Sequence, residues 1–463
     1  MLLLLGTGLA LRTALMASYR PGFLGHPDAR TYIIAAHGPL FWNPYRPAGY
    51  PLMLRGLRRL DGRLSFTIGV QHALGLATAL VAQAITARFV RRGRAALLPL
   101  AVVLGGGTQL FLEHSVLSEA PYTFLLSIAL WCSAHSIDNQ RPLPWLAGAG
   151  GALGVSSTLR SSGVLGIPWT AAWAATRPAR RTQDRVASVA VILLGAAVPL
   201  AAYLVPQRVR TGCWGLTRTS GFTLYARMAP IADCRRSAPP AGTAALCESR
   251  PPAGRPTPTW YMFAWPEAPA LRLYGAPPYP LGPAEHAAYR WAGEEPLRRF
   301  ARSVLVHQPA DYLRSILVGV ANFVVPHTGR PSVIEWDHVR LIEELRNAGW
   351  ERESIVHITN FYKTGPGYTR RNLRALAAYG RVAKLEGWPT GALAALALAG
   401  WWLSDGADRD AAALLAGTAA WGAVSTVALL FYDARYATPL YGPLAAAAAL
   451  GADRLWTRWQ REA

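Results

Sequence analysis

Ten separate stretches of this chain are apolar for about the length of a membrane crossing, and that repetition limits its possible folds more than any motif does. They run over 2–19, 65–87, 95–112, 120–135, 145–158, 163–176, 186–206, 388–403, 411–431 and 437–453. A bilayer-spanning helix needs about 20 apolar residues, with roughly 17 to 25 tolerated. Hydrocarbon offers no water to the peptide groups, so each crossing has to satisfy its own backbone hydrogen bonds as a helix. Only 16% of residues are charged, against about a quarter in soluble domains. The expected architecture is an all-α polytopic membrane protein of about ten transmembrane helices, within a range of nine to eleven. The stretch 145–176 reads as two short helices meeting at Arg160, Ser161 and Ser162, because a central arginine is costly in hydrocarbon. One kinked helix is the alternative.

The net charge of +21 could signal nucleic acid, but the arginines sit in short loops between apolar segments, which is the positive-inside distribution. No nucleic-acid partner is expected, and the bilayer is. RFVRRGR (88–94), RPARRTQDR (177–185) and RLWTRWQR (454–461) all become cytoplasmic if ten spans start from an inner N-terminus. The first loop (20–64), the EHSVLSE turn, the 207–387 region and Asp433–Arg435 then share the outer face of the cell membrane. The N-terminal segment lacks a basic leader and a small-residue cleavage site, so it reads as a retained first span with Arg12 awkwardly at mid-depth.

Three parts follow: an N-terminal transmembrane module (1–206) carrying the first outer loop, an external region (207–387), and C-terminal transmembrane helices (388–463). Within the external region, 311–326 would make an eleventh crossing that breaks the charge parity, so it reads as an interfacial or re-entrant helix. Residues 235–283 are rich in proline and glycine and should be irregular. Residues 338–349 and 368–387 have the three-to-four spacing of amphipathic helices. Cys213, Cys234 and Cys247 share this region. A Cys234–Cys247 bridge is plausible outside the cell, with Cys213 a competing partner.

The chemistry-bearing residues gather on the outer loops. Asp28 lies in HPDARTY, shortly after the first apolar stretch, where it could cap a helix or act as a base. Arg46 precedes the rigid turn Pro47-Ala48-Gly49-Tyr50-Pro51, in a segment whose aromatic residues, Tyr32 and Tyr50 among them, could equally form an interfacial belt. Glu113, His114 and Glu119 flank the EHSVLSE turn. Glu119 opens an apolar segment, where a helix dipole favours a carboxylate. Together with Asp28 these ligand types would also suit a divalent metal, although the spacing matches no metal motif and no metal ligand is assigned. Arg160 either faces a cavity or snorkels to the interface. Arg435, between Asp433 and Tyr436, could hold a phosphate through its forked guanidinium, or simply pair with Asp433 at the surface. No phosphate-binding loop or nucleophile elbow occurs.

In order along the chain, HPDARTY, RPAGYPLML, SEAPYTFLL, TLRSSG and DARYATPLYGP resemble the GT-C superfamily of membrane glycosyltransferases, especially the protein O-mannosyltransferase and aminoarabinose transferase branch. The likeness covers the first 165 residues and the last 80. It implies a GT-C-like helical bundle with a large external region, and an inverting transfer from a polyprenyl-phosphate sugar to a protein, lipid or glycan acceptor. By that resemblance Asp28 would be the general base, Arg435, Arg46 and Arg160 would hold the donor phosphate, and Tyr32, Tyr50, His114, Glu119 and Tyr436 would line the substrate pocket. Many relatives carry a second acid beside the first. Here Ala29 and Arg30 follow Asp28, which puts a metal-assisted variant in doubt. Competing readings are a transporter or flippase of lipid-linked sugars, and a polymerase or ligase using diphosphate donors. The absence of sequence duplication disfavours the transporter.

Overall fold

The structure is a computed structural model and describes residues 1–24, 26–41, 43–177, 181–263, 267–276, 291–325, 350–362 and 369–462. The amphipathic segment expected at 338–349 lies outside these residues, and so do His327 and His338. Among the described residues the chain is almost wholly helical, with one two-residue strand pair, Tyr19–Arg20 against Thr369–Arg370.

The N-terminal part comprises α1 (Leu2–Ser18), α2 (Pro27–His37), α3 (Gly49–Leu60), α4 (Leu64–Ala87), α5 (Leu97–Gly105), α6 (Gly107–Glu113), α7 (Glu119–His135), α8 (Pro142–Leu159), α9 (Gly166–Thr176) and α10 (Thr182–Thr211). The 95–112 stretch is therefore two helices that break at Gly106, where the backbone turns extended. As expected, 145–176 is two helices, separated at Arg160 by a short 3-10 turn. Among the described residues three helices are long and apolar enough to cross a membrane by length and composition: α4, α10 and Gly406–Leu429.

After α10 come α11 (Ser220–Met228), α12 (Pro258–Phe263), α13 (Pro269–Tyr274), α14 (Glu294–His307), α15 (Pro309–Val324), α16 (Trp350–Tyr362) and α17 (Leu373–Val382). A compact core of Phe222, Tyr225, Tyr261, Phe300 and Val304 holds α11 to α14 together, beside a Cys234–Cys247 disulfide. The chain closes with α18 (Trp388–Leu403), α19 (Gly406–Leu429) and α20 (Ala434–Glu462). Polyalanine 445–449 on α20 is fully buried, because small side chains let helix backbones approach closely where apolar lipid provides no driving force. α20 thereby runs through the main core formed by α4, α7, α8, α9, α10, α18 and α19.

A second core joins α2 and α3 to the α6–α7 turn through Tyr32, Ile33, Tyr50, Leu54, Val116 and Leu117. α3 is pinned to α8 at Gly49: a Cβ there would stand 2.4 Å from the Thr158 carbonyl oxygen. Glycine alone permits that approach, and it sets the first loop down on the bundle.

Candidate active site

Three loop junctions from distant parts of the sequence meet around Asp28. Pro27 starts α2 with its φ already helical, and the ring of His26, not Asp28, caps the helix: its Nδ1 accepts from the Asp28 amide at 3.1 Å. The capping role considered for Asp28 is thus taken by a residue two positions earlier, which leaves the carboxylate free to point inward. It is 8% exposed. One oxygen accepts from Arg46 Nη2 at 2.6 Å and the other from Arg435 Nη1 at 2.9 Å. Burial alone would raise its pKa, but Arg46 and Arg435 outweigh that and hold it well below the usual carboxylate range.

The same logic extends outward. Glu119, in the first turn of α7, pairs with Arg160 at 2.6 Å and stands 3.5 Å from Arg435. Asp433 accepts from the Arg435 amide at 3.0 Å and is 3.5 Å from its Nε. Arg435 and Asp433 are each 3% exposed, so they are a buried pair, not a surface one. Arg160 does not snorkel away: it is half-buried against Glu119, with its guanidinium 5.0 Å from the Tyr436 ring centre. Arg435 lies 5.1 Å from that ring, and cation–π attraction favours both placements. Three carboxylates (Asp28, Glu119, Asp433) and three guanidiniums (Arg46, Arg160, Arg435) therefore balance in a nearly dry cluster. An arriving anion would have to compete for arginines already engaged.

Arg46 and Tyr436 also line a cavity of about 340 Å³ together with Ser161, Ser162, Thr219 and Phe431. A smaller cavity of about 50 Å³ shares Ser162 and Tyr436 with it and is also lined by Arg160 and Trp169. Trp169 and Leu440 are shared with an apolar cavity of about 560 Å³ between α15, α18, α19 and α20. Three cavities thus lie in series, each sharing lining residues with the next, from the guanidinium cluster to a hydrocarbon-lined space.

Two expected pocket residues have other positions. His114 is wholly buried, with its Nδ1 3.0 Å from His72 Nε2 and its Nε2 2.8 Å from the Tyr19 carbonyl oxygen. Glu113 faces Arg12 and His72. The four-residue metal set of Asp28, Glu113, His114 and Glu119 is thereby split between two networks, in which each carboxylate meets a guanidinium. Among the described residues no group of three or more His, Cys, Asp or Glu side chains is arranged to hold a metal ion. Tyr50 is fully buried, donates to Gln71 at 2.6 Å, and meets Tyr32 edge to face at 4.8 Å. Tyr32 in turn bonds Ser118 at 2.9 Å. The tyrosines fix the loop beside the site. His26 and Ser118 open the motifs HPDARTY and SEAPYTFLL, which assign them no role of their own, and Trp169 carried no signal, since an isolated tryptophan in an apolar segment is ordinary.

The His26 cap has a pH consequence. Burial first, then the cation of Arg435, pushes its pKa down to about 4 against the pull of Asp28. The folded state thus binds the proton less well than the unfolded chain. Stability is full above about pH 6.5, falls as pH drops from there to about 4, and is flat below. His26→Asn retains a capping side chain and should flatten that part of the thermal-unfolding profile. An unchanged slope would mean that another group is responsible.

No protein-family model and no curated protein matches the chain. Solved structures do. The chain is similar to the S. cerevisiae protein O-mannosyltransferase Pmt1–Pmt2 complex bound to the sugar donor, at 15% identity over 49% of this chain and 36% of that one, with a TM-score of 0.35. It is similar to the Archaeoglobus fulgidus oligosaccharyltransferase in complex with Zn and sulfate, at 11% identity over 99% and 50%, with a TM-score of 0.47. This chain thus spans only about a third and a half of those two proteins. Its similarity to ArnT from Cupriavidus metallidurans in the apo state is 13% over 89% of this chain and 83% of that one, with a TM-score of 0.36.

Proposed function

We propose that the chain is a membrane glycosyltransferase of inverting type that takes its sugar from a polyprenyl-phosphate donor on the outer face of the cell membrane. The observation that carries the reading is the convergence of Arg46 and Arg435, nearly 400 residues apart in sequence, on the Asp28 carboxylate, beside a chamber that a smaller cavity separates from an apolar one. A lipid-linked sugar phosphate has that polarity: a hydrocarbon tail suited to the space beyond Trp169, and an anionic head suited to guanidinium forks. The ordered motifs that resemble those of GT-C enzymes support the same assignment.

In the proposed reaction an acceptor hydroxyl attacks the anomeric carbon from the face opposite the phosphate. The new carbon–oxygen bond forms as the sugar–phosphate bond breaks, the electron pair leaves on the phosphate, and the hydroxyl proton passes to Asp28. Arg46 and Arg435, assisted by Arg160, neutralise the leaving phosphate, whose charge grows in the transition state. The clamp also explains how one carboxylate could be inert at rest and basic at work. Doubly paired, Asp28 is a feeble proton acceptor. When the donor phosphate draws the guanidiniums toward itself, the depression of the Asp28 pKa is relieved, so basicity appears only with donor present. The external region adjoining the chamber would admit the acceptor.

The donor half of this reading is tested by native mass spectrometry of the purified protein with undecaprenyl phosphate. Ala394→Phe, which would fill the apolar cavity, and Arg435→Gln, which removes a fork, are each expected to weaken binding about tenfold or more, roughly 1.4 kcal/mol. Wild-type affinity in both variants would sink the assignment of tail and head.

A further inference from the structure

The first loop carries a second concentration of arginine that the reaction does not use. Arg55, Arg58 and Arg59 on the last turns of α3, with His37, Gly38 and Pro39 at the end of α2, line an open concavity of about 710 Å³. It shares no lining residue with the chamber beside Asp28. Around Asp28 every arginine meets a carboxylate; at this concavity no ion pair joins the three to a described carboxylate, and the nearby Asp61 is held by Arg63 at 2.6 Å.

Two of the three instead have a neutral support. Arg55 donates from Nε to the Ala36 carbonyl oxygen at 2.7 Å and from Nη2 to that of Gly38, which ties α3 to the end of α2. Arg58 stacks its guanidinium 4.9 Å from the Phe361 ring centre. Arg59 is exposed. Burial, followed by repulsion from Arg210 and Arg59, lowers the pKa of Arg55, as expected of gathered cations with no counter-charge among the described residues. Leaving such a cluster uncompensated is unfavourable unless an anion supplies the missing charge.

The same helix also names the anion's surroundings. Leu52 and Leu60 are 56% and 76% exposed on a helix whose opposite side buries Tyr50 and Leu54. Exposed leucines next to arginines are the mark of a helix lying in a membrane interface, with its apolar residues among acyl chains and its cations at headgroup level. The positive-inside bias also makes arginine scarce in outer loops, so three within five residues of a loop expected outside need a local reason.

We propose that this concavity binds the phosphate of an anionic phospholipid of the surrounding bilayer, with Leu52 and Leu60 seated in its acyl region. The inference rests on the membrane reading of the chain and not on the sugar-transfer chemistry. Bound lipid would hold α2 and α3 together, and these are the helices that frame Asp28 and follow Arg46.

The test uses the full chain in nanodiscs of phosphatidylcholine with and without phosphatidylglycerol, counting retained lipids by native mass spectrometry. Wild type should keep phosphatidylglycerol in preference to phosphatidylcholine, and the preference should fall with salt. Each arginine near an anionic surface is worth about a fivefold preference, so Arg58→Gln/Arg59→Gln should lose about 30-fold. Arg59→Gln alone, at an exposed position with no ion-pair partner among the described residues, should fold normally and lose about fivefold. An unchanged preference in both variants would overturn the proposal. So would displacement of the lipid by millimolar inorganic phosphate, which would identify a site for soluble anions. Loss of sugar transfer in Asp28 variants would leave this result untouched, so the two readings fail separately.

Discussion

Asp28→Asn is expected to abolish sugar transfer while the polyprenyl-phosphate donor stays bound. Asparagine keeps the size of the side chain and one acceptor oxygen, but it cannot take a proton at neutral pH. General-base catalysis is worth about 10²–10⁴ in rate, and a loss of that order in single-turnover transfer is the anticipated result. Donor affinity should move the other way or not at all. In the resting protein Arg46 and Arg435 are held by the Asp28 carboxylate at 2.6 and 2.9 Å, and a neutral amide competes with a phosphate for them far less well. A variant with wild-type transfer would remove Asp28 from the chemistry, and one that loses donor and transfer together would make it a structural anchor for the arginines. A flippase predicts a third pattern, in which lipid movement persists in both proteins and no sugar is transferred by either.

Much of this site was legible because charge is so conspicuous in an apolar chain. Asp28, Arg46, Glu119, Arg160 and Arg435 could each be singled out because a charged side chain beside a membrane span needs a reason. What could not be read was who pairs with whom. Arg435 sits two residues from Asp433 in sequence, yet it reaches across to Asp28 and Glu119, and only the packing of α20 against α7 and the first loop decides that. Hydropathy located the apolar helices, although the last of them runs on to Glu462, nine residues past its expected end. It did not locate the break at Gly106, because the apolar run passes through it without interruption. His114 stands outside the pocket for a reason equally invisible in the sequence: with Glu113 it belongs to the network of Arg12 and His72, whereas Glu119 belongs to that of Arg160 and Arg435.

Arg12 shows what a lone charge in an apolar segment means when its partner is distant in sequence. Its Nε and Nη2 each donate to Glu113 at 2.8 Å, a bidentate pair with both side chains almost wholly buried. Glu113 also meets His72 Nδ1 at 2.9 Å and accepts from Gln109 at 2.7 Å. The carboxylate occupies the space over Gly75, where a Cβ would stand 1.8 Å from Oε1. Glu113→Ala would leave a guanidinium buried with only carbonyl oxygens for company. Removing one partner of such a pair is expected to cost about 3–5 kcal/mol, read as a large drop in thermal stability in lipid-containing micelles. Gly75→Ala should act in the same direction by pushing the carboxylate out of place. The decisive comparison is Arg12→Met/Glu113→Leu, which removes both charges and fills the space with hydrocarbon. If the cost of the single variant is that of an orphaned charge, the double variant recovers most of the stability, because the desolvation of both ions is relieved together. If the double variant is as unstable as Glu113→Ala, the network of His72 and Gln109 matters more than the ion pair, and Arg12 is not what makes the Glu113 carboxylate indispensable. Gln71 extends the effect to the site. It donates to the carbonyl oxygens of Glu113 and Ser115 at 3.0 and 2.7 Å and accepts from Tyr50, so a loosened Glu113 also loosens the turn that carries Ser118 and Glu119 to Asp28.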